Sequence, residues 1–267
     1  MTEAALNTPP RSILINRDAE GLAHAVAARL ITKLVDVQSS GRVAQVVLTG
    51  GRVAAVVYRA VAESPARSAI DWRRVEFWWG DERFLPEGDP ERNDTQAWDA
   101  LLSHVDVDPA LVHVMPADTG QGAEAAAAAY AETLAAAAGP RDGAVDGEAD
   151  GPAFGDGVPA FDVLMLGVGP DGHVASLFPD NPARIVVDKS TVAVHDSPKP
   201  PPTRVSLTFP ALANARETWF VVSGEDKADA VAGALSGTSD LPASIPQGID
   251  RTLWLLDEAA ASKLPQN

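Results

Sequence analysis

Short runs of Val, Ile and large apolar residues alternate along this chain with longer stretches in which apolar positions recur every three or four residues. The short runs fit strands and the longer ones amphipathic helices. The pattern predicts strands over 12–16, 45–49, 74–79, 111–115, 161–166, 184–188, 191–194, 203–208, 217–223 and 253–256. It predicts helices over 19–37, 53–63, 95–104, 123–138, 210–215 and 225–235, with a short one near the C-terminus. Asp18 stands where an N-cap belongs, and Glu225 and Asp226 fall in a first helical turn, where carboxylates offset the helix dipole.

Strand–helix alternation of this kind argues an α/β fold: a doubly wound, mostly parallel, Rossmann-like sheet with helices on both faces, plus a smaller strand-containing C-terminal part. The 161–166 run is nearly continuous in apolar residues, as a central parallel strand would be. Ligands of such sheets sit at the carboxyl ends of the strands. The loops after Thr49, Trp79, Leu166 and Val194 are therefore where chemistry is expected.

Composition narrows the choice. The chain has 267 residues, 46% of them hydrophobic, enough for a large core, and reads as a single domain over 1–267. Segment 139–159 differs in kind, setting Asp142, Asp146, Glu148, Asp150 and Asp156 against Arg141 with almost no large apolar residue, and is expected to be a flexible acidic insertion. The net charge of −16 argues against nucleic acid and anionic membranes as partners; an anionic small substrate would need a local basic pocket. No run of about 18 apolar residues suggests a membrane span, and residues 1–11 lack a basic-then-apolar leader pattern. The absence of cysteine excludes disulfides, a thiol nucleophile and cysteine-bound metals, and fits a cytoplasmic protein. A monomer or weak homo-oligomer is expected.

Four segments carry candidate chemistry. In Thr49-Gly50-Gly51-Arg52 a strand turns into a helix, and two glycines with a helix N-terminus suit either a tight turn or an anion site. Trp79-Gly80-Asp81-Glu82-Arg83, with Asn93 downstream, reads as an exposed turn or as Arg83 aimed at an anion and oriented by Asp81 or Glu82. In Ser197-Pro198-Lys199-Pro200-Pro201-Pro202-Thr203-Arg204 the prolines stiffen a loop holding two cations, an anion clamp more than a linker in so acidic a chain.

The fourth segment, Gly167-Val168-Gly169-Pro170-Asp171-Gly172-His173, matches the G-x-G-x-x-G dinucleotide pattern. Pro179 stops any helix starting at His173 within two turns, which that site does not tolerate. A sharp turn exposing Asp171 and His173 fits better. His173 then serves as general base, and Asp171 fixes its tautomer or binds substrate hydroxyls. A helix-capping Asp with a packed His would show the same pattern. His24, His104 and His113 read as structural and His195 stays open; no H-x-H, H-E-x-x-H or G-x-S-x-G pattern supports a metal site or a serine nucleophile.

In chain order the segments resemble the 6-phosphogluconolactonase family. The matching residues are Gly50-Gly51, Gly80-Asp81-Glu82-Arg83 with Asn93, the stretch from Gly167 to Pro179, and Lys199 to Arg204, continuing through Val205-Ser206-Leu207-Thr208 and Asn214-Ala215-Arg216. The related glucosamine-6-phosphate deaminases share the Gly-x-Asp-Gly-His turn but continue Ile-Ala-Phe-Asn-Glu-Pro; here the continuation is Val174-Ala175-Ser176-Leu177-Phe178-Pro179. The first loop departs from the family's Ser-Gly-Gly-Ser-Thr-Pro, reading Thr49-Gly50-Gly51-Arg52-Val53-Ala54, so that Arg52 either adds a phosphate contact or points away.

The resemblance implies hydrolysis of 6-phospho-D-glucono-1,5-lactone to 6-phospho-D-gluconate in the oxidative pentose phosphate pathway, with no cofactor and no metal. It implies His173 as base with Asp171 orienting it. Arg83, Lys199 and Arg204, with the 50–51 turn, would hold the phosphate, and Thr49, Arg52, Asp81, Glu82, Asn93 and Gly169 would complete the substrate site. The alternatives are a deaminase/isomerase-like enzyme and a non-catalytic sugar-phosphate sensor.

Overall fold

The computed structural model describes residues 10–138, 157–237 and 239–265. In chain order it forms β1 (Arg11–Asn16), α1 (Ala19–Ser39), β2 (Ala44–Leu48), α2 (Arg52–Glu63), β3 (Val75–Trp79), β4 (Asp81–Arg83), α3 (Asn93–Ala100) and α4 (Ala123–Ala137). There follow β5 (Phe161–Leu166), β6 (Thr191–Val194), β7 (Arg204–Leu207), α5 (Phe209–Leu212), β8 (Ala215–Val222), α6 (Ala228–Leu235) and β9 (Arg251–Asp257).

Local chemistry explains the longest helix. Asp18 caps α1 by accepting the Gly21 N–H at 2.8 Å. The buried stripe Leu22, Val26, Leu30, Leu34 and Val37 then gives α1 one core-facing side. At the other extreme, every residue of β5 is buried, so both faces of the sheet are covered there.

Six strands form the main sheet in the order β1-β9-β8-β5-β2-β3, and every pairing in it is parallel. The smaller strand-containing part is an antiparallel sheet in the order β4-β7-β6, which takes β4 from the first half of the chain. From β2 the chain moves outward to β3, then crosses back to set β5 on the other side of β2. The direction of winding therefore reverses between β2 and β5, and a crevice opens beyond their carboxyl ends.

Several predicted elements differ. Residues 111–115 form no strand: Asp108 caps a 3-10 turn at Pro109–Leu111, and one bridge joins Val112 to Phe77. Residues 184–188 form no strand either, because Pro182, with Asn181 capping, sets a 3-10 turn at Pro182–Ile185 and leaves Ile185 and Val187 exposed. The 95–104 helix starts at Asn93 and breaks after Ala100 into a 3-10 turn, and the 225–235 helix begins with another. The 210–215 helix is the single turn of α5, and turns replace the C-terminal helix. Residues 81–83, expected as a loop, are a strand. Of the acidic insertion, 139–156 lie outside the described residues.

Candidate active site

A cleft of about 580 Å³ lies over the carboxyl ends of the parallel strands. The loop after β2 brings Thr49, Gly50, Gly51 and Arg52 to it. The small sheet and α3 bring Asp81, Arg83 and Asn93; the loop after β5 brings Gly169 and His173; the proline loop brings Lys199 and Arg204. Glu82 lies behind this lining, and Asp171 opens onto a separate groove on the far side of the histidine.

The turn after β5 is built around one pair. His173 Nδ1 and Asp171 Oδ1 are 2.5 Å apart. The turn closes by Gly172 N–H donating to the Gly169 carbonyl and Gly169 N–H to the His173 carbonyl, both at 2.9 Å. Glycine is required at 169 for space: a Cβ would overlap His173 Nδ1 and Cε1 and press on Asp171 Oδ1. At 172 it is required for conformation as well, with φ +80° and Leu241 close by. With Nδ1 engaged by the carboxylate, Nε2 is the ring nitrogen without a protein partner among the described residues. Phe178 packs on the imidazole at a centroid distance of 4.4 Å.

Lys199 completes this group, its Nζ 3.7 Å from Asp171 Oδ1 and 3.5 Å from His173 Nδ1. Burial alone would raise the Asp171 carboxyl, but the hydrogen bond and charge of His173, and the Lys199 ammonium, outweigh it and hold the group at about 2. Burial lowers Lys199, with Asp171 pulling it back up and Lys227 and Arg204 adding to the lowering.

The first loop is pinned from below. The buried Tyr58 hydroxyl accepts the Thr49 N–H at 3.0 Å and donates to the Thr49 carbonyl at 2.7 Å. A Cβ at Gly50 would overlap the Asn93 carboxamide. Gly51, at φ +99°, occupies the N-cap position of α2, where no side chain caps the helix and no acid lies in the first turn. Arg52 is the first helical residue and stands at the positive end of the helix dipole. An anion bound there would satisfy the free N–H groups and offset both charges.

Glu82 organises the next segment from inside. Its carboxyl accepts the N–H groups of Arg83 and Asn93 at 2.7 Å and of Asp94 at 2.8 Å, so it serves as a remote cap for α3. Burial, and next the neighbouring Asp94, push it up to about 8, against Arg92 and the N–H donors. Neither Asp81 nor Glu82 contacts the Arg83 guanidinium, which donates instead to the Glu91 carbonyl. Asn93 is held by donating to the Asp81 carbonyl at 2.8 Å. Arg83 Nε and Asn93 Oδ1 are buried without a protein partner among the described residues. Arg204 spends most of its donors on the proline loop, bonding the carbonyls of Lys199, Pro200 and Pro201 at 3.1–3.2 Å.

Sequence reasoning missed a fifth loop. Ser223, Gly224, Asp226 and Lys227, after β8, also line the cleft. Asp257 shapes this loop, accepting from the Ser223 hydroxyl at 2.6 Å and the Gly224 N–H at 3.1 Å. Lys227 pairs with Asp226. The signal was available, since this loop too follows a parallel strand, but the segment reads as helix. His113 and His195 lie outside the cleft, on Glu76 at 2.7 Å and Glu124 at 2.6 Å.

A doubly wound sheet whose switch-point crevice holds a histidine among cations, backed by an aspartate, defines an α/β enzyme for a small anionic substrate. Residues 17–254 match the family described as glucosamine-6-phosphate isomerases/6-phosphogluconolactonase, and the chain belongs to that family. It is 55% identical over 260 residues to the 6-phosphogluconolactonase of Streptomyces coelicolor, covering 96% of this chain and 95% of that one. With the Mycobacterium tuberculosis 6-phosphogluconolactonase it shares 44% identity over 259 residues, covering 95% and 98%. The solved structure of the 6-phosphogluconolactonase from Trypanosoma brucei superposes with a TM-score of 0.82 at 25% identity, covering 97% of this chain and all of that one.

Proposed function

We infer that this chain hydrolyses 6-phospho-D-glucono-1,5-lactone to 6-phospho-D-gluconate, the lactonase step of the oxidative pentose phosphate pathway. The observation that carries the reading is His173, which faces a cleft lined by cations and is backed by Asp171 at 2.5 Å. His173 Nε2 takes a proton from water as the water oxygen attacks C1. The carbonyl electrons move onto oxygen, where N–H groups of the glycine turns other than those of Gly169 and Gly172, which close their own turn, meet the developing charge. The bond from C1 to the ring oxygen then breaks, and the imidazolium returns its proton to that oxygen. Asp171 holds the ring and stabilises the imidazolium.

The phosphate sits at the N-terminus of α2, held by the Gly50-Gly51 backbone with Arg52 and Lys227. Arg83, Lys199 and Arg204 supply the rest of the positive field. Asp81 and Asn93 face the sugar. The lactone is already an activated ester, so the reading needs neither metal nor covalent nucleophile, and its setting is the cytoplasm. The Ser176-Leu177-Phe178 continuation after the histidine turn separates this reading from the deaminase one.

The test is base uptake at constant pH after adding fresh lactone, corrected for spontaneous opening, beside an assay for ammonia release from glucosamine 6-phosphate. Acceleration of the first and silence in the second are expected, with His173→Ala lowering turnover by roughly two orders of magnitude. A folded His173→Ala protein with near-normal turnover removes the base assignment. Binding of the lactone without acceleration removes the enzyme reading in favour of a sensor.

A further inference from the structure

Three residues after the histidine, the same loop buries a hydroxyl that touches the opposite wall of the cleft. Ser176 is fully buried, and its Oγ donates to Asp81 Oδ2 at 2.6 Å. Its N–H donates to Ser206 Oγ at 3.3 Å, and Ser206 is the register partner of Asp81 across β4 and β7. Ser206 in turn donates to the Leu207 carbonyl at 2.9 Å. The loop from β5 is thus bonded to the small sheet at the point where Asp81 enters the cleft.

The local backbone is bent to make this contact. Ala175 lies in the left-handed region at φ +49°, which a non-glycine residue seldom adopts. The Leu177 N–H closes the turn on the Val174 carbonyl at 2.9 Å. Strained conformations persist where the surroundings over-determine them, and they cluster at functional sites. Here the strain carries Ser176 inward, away from the cleft that Ala175 lines.

Asp81 has two carboxylate oxygens with different situations. Oδ2 is held by Ser176. Oδ1 has no hydrogen-bond partner among the described residues, although the residue is 6% exposed and lines the cleft. We propose that Ser176 is a positioning residue, which locks the Asp81 carboxylate in the one rotation that offers Oδ1 to a ring hydroxyl of the substrate. It ties hydroxyl recognition on the small sheet to the loop that carries the base. The inference rests on the lactonase reading given above.

Ser176→Ala removes the lock and leaves Asp81 otherwise intact. The expected result is a KM about tenfold higher for 6-phosphogluconolactone, the scale of a hydrogen bond to a charged group, with kcat changed less than about threefold. The 2-deoxy, 3-deoxy and 4-deoxy lactones locate the effect: for the analogue lacking the hydroxyl that Asp81 holds, wild type and Ser176→Ala have the same KM. Asp81→Asn combined with Ser176→Ala is expected to be no worse than Asp81→Asn alone. Where Ser176→Ala is too unstable for kinetics, Ser176→Cys, with a weaker donor, carries the same expectations.

An unchanged KM in a folded variant overturns the proposal. So does an equal loss with all three deoxy lactones, or losses that multiply in the double variant, since either would mark a merely structural role. The lactonase reading fails separately, when the wild-type chain itself does not accelerate lactone opening.

Discussion

Replacing Gly169 with alanine perturbs the proposed catalytic pair without changing either member. The added Cβ would overlap His173 Nδ1 and Cε1 and stand 2.5 Å from Asp171 Oδ1. The backbone at 169 is tied to the turn by two 2.9 Å hydrogen bonds, so it gives way only by opening them. The imidazole is backed by Phe178. The histidine must therefore shift by on the order of 1 Å, and a misplacement of that size costs about 100-fold. Losing general-base assistance outright costs about 10²–10⁴-fold, so the expected fall in kcat starts at about 100-fold. Overpacking adds a folding cost of about 1–3 kcal/mol. For a chain of this length each kcal/mol lowers Tm by roughly 2–4 °C, so Tm is expected to fall by about 2–12 °C. Base uptake with fresh lactone, well below the measured Tm, reads the kinetic part alone. Wild-type kcat in folded Gly169→Ala would refute the argument that this glycine exists to admit the pair.

Glu82→Ala removes the acceptor of three N–H groups, two of them buried, and at about 1–3 kcal/mol for each stranded buried group the loss is at least about 2 kcal/mol, read by urea unfolding. KM should rise with it, because Asn93 and Arg83 lose their anchor; a cost under about 1 kcal/mol would show that α3 has another cap. Asp171 makes an acid-side prediction. Its carboxyl is held at about 2, below its ordinary 3.8, so between those values the unfolded chain binds a proton that the native one does not. Its stabilisation is complete above about pH 4 and disappears as pH falls to about 2. The side chain is 34% exposed, and with that screening the contribution is about 1 kcal/mol. Asp171→Asn should therefore flatten the acid limb of stability against pH, and superimposable limbs would contradict the assignment.

Much of the candidate site was legible because its signals are local. The all-apolar 161–166 run marks the central strand, and the alternation of strands and helices places function at the strand ends. The Asp171-Gly172-His173 turn is written in consecutive residues. What was illegible depends on pairing at a distance. Asp81, Glu82 and Arg83 look like solvated loop charges, yet β7, more than 120 residues on, makes them a strand, and Glu82 is buried to satisfy the start of α3. Lys227 lay inside a stretch with helical spacing, so only the fold shows it at the cleft. The two false strands are a different failure. Val112 and Val114, like Ile185 to Val187, have strand propensity, but Pro109 and Pro182 with their capping neighbours set turns first.

The division of labour among the cations follows from what else each one holds. Arg204 is committed to three carbonyls of its own loop, and Lys199 stands against Asp171 and His173. Arg52 lies at the uncapped start of α2, and Lys227 lies across the same cleft beside Asp226. The end of the cleft best suited to a dianion is therefore the carboxyl end of β2, and the proposed base, His173, sits at the carboxyl end of β5. These strands are neighbours, about 4.8 Å apart. A sugar phosphate laid across the switch point can reach both loops at once, with its phosphate over one strand and its carbonyl over the next. In a chain of net charge −16, attraction confined to that short span selects a substrate whose charge and electrophile lie a few ångströms apart over a larger polyanion, which the surrounding surface repels.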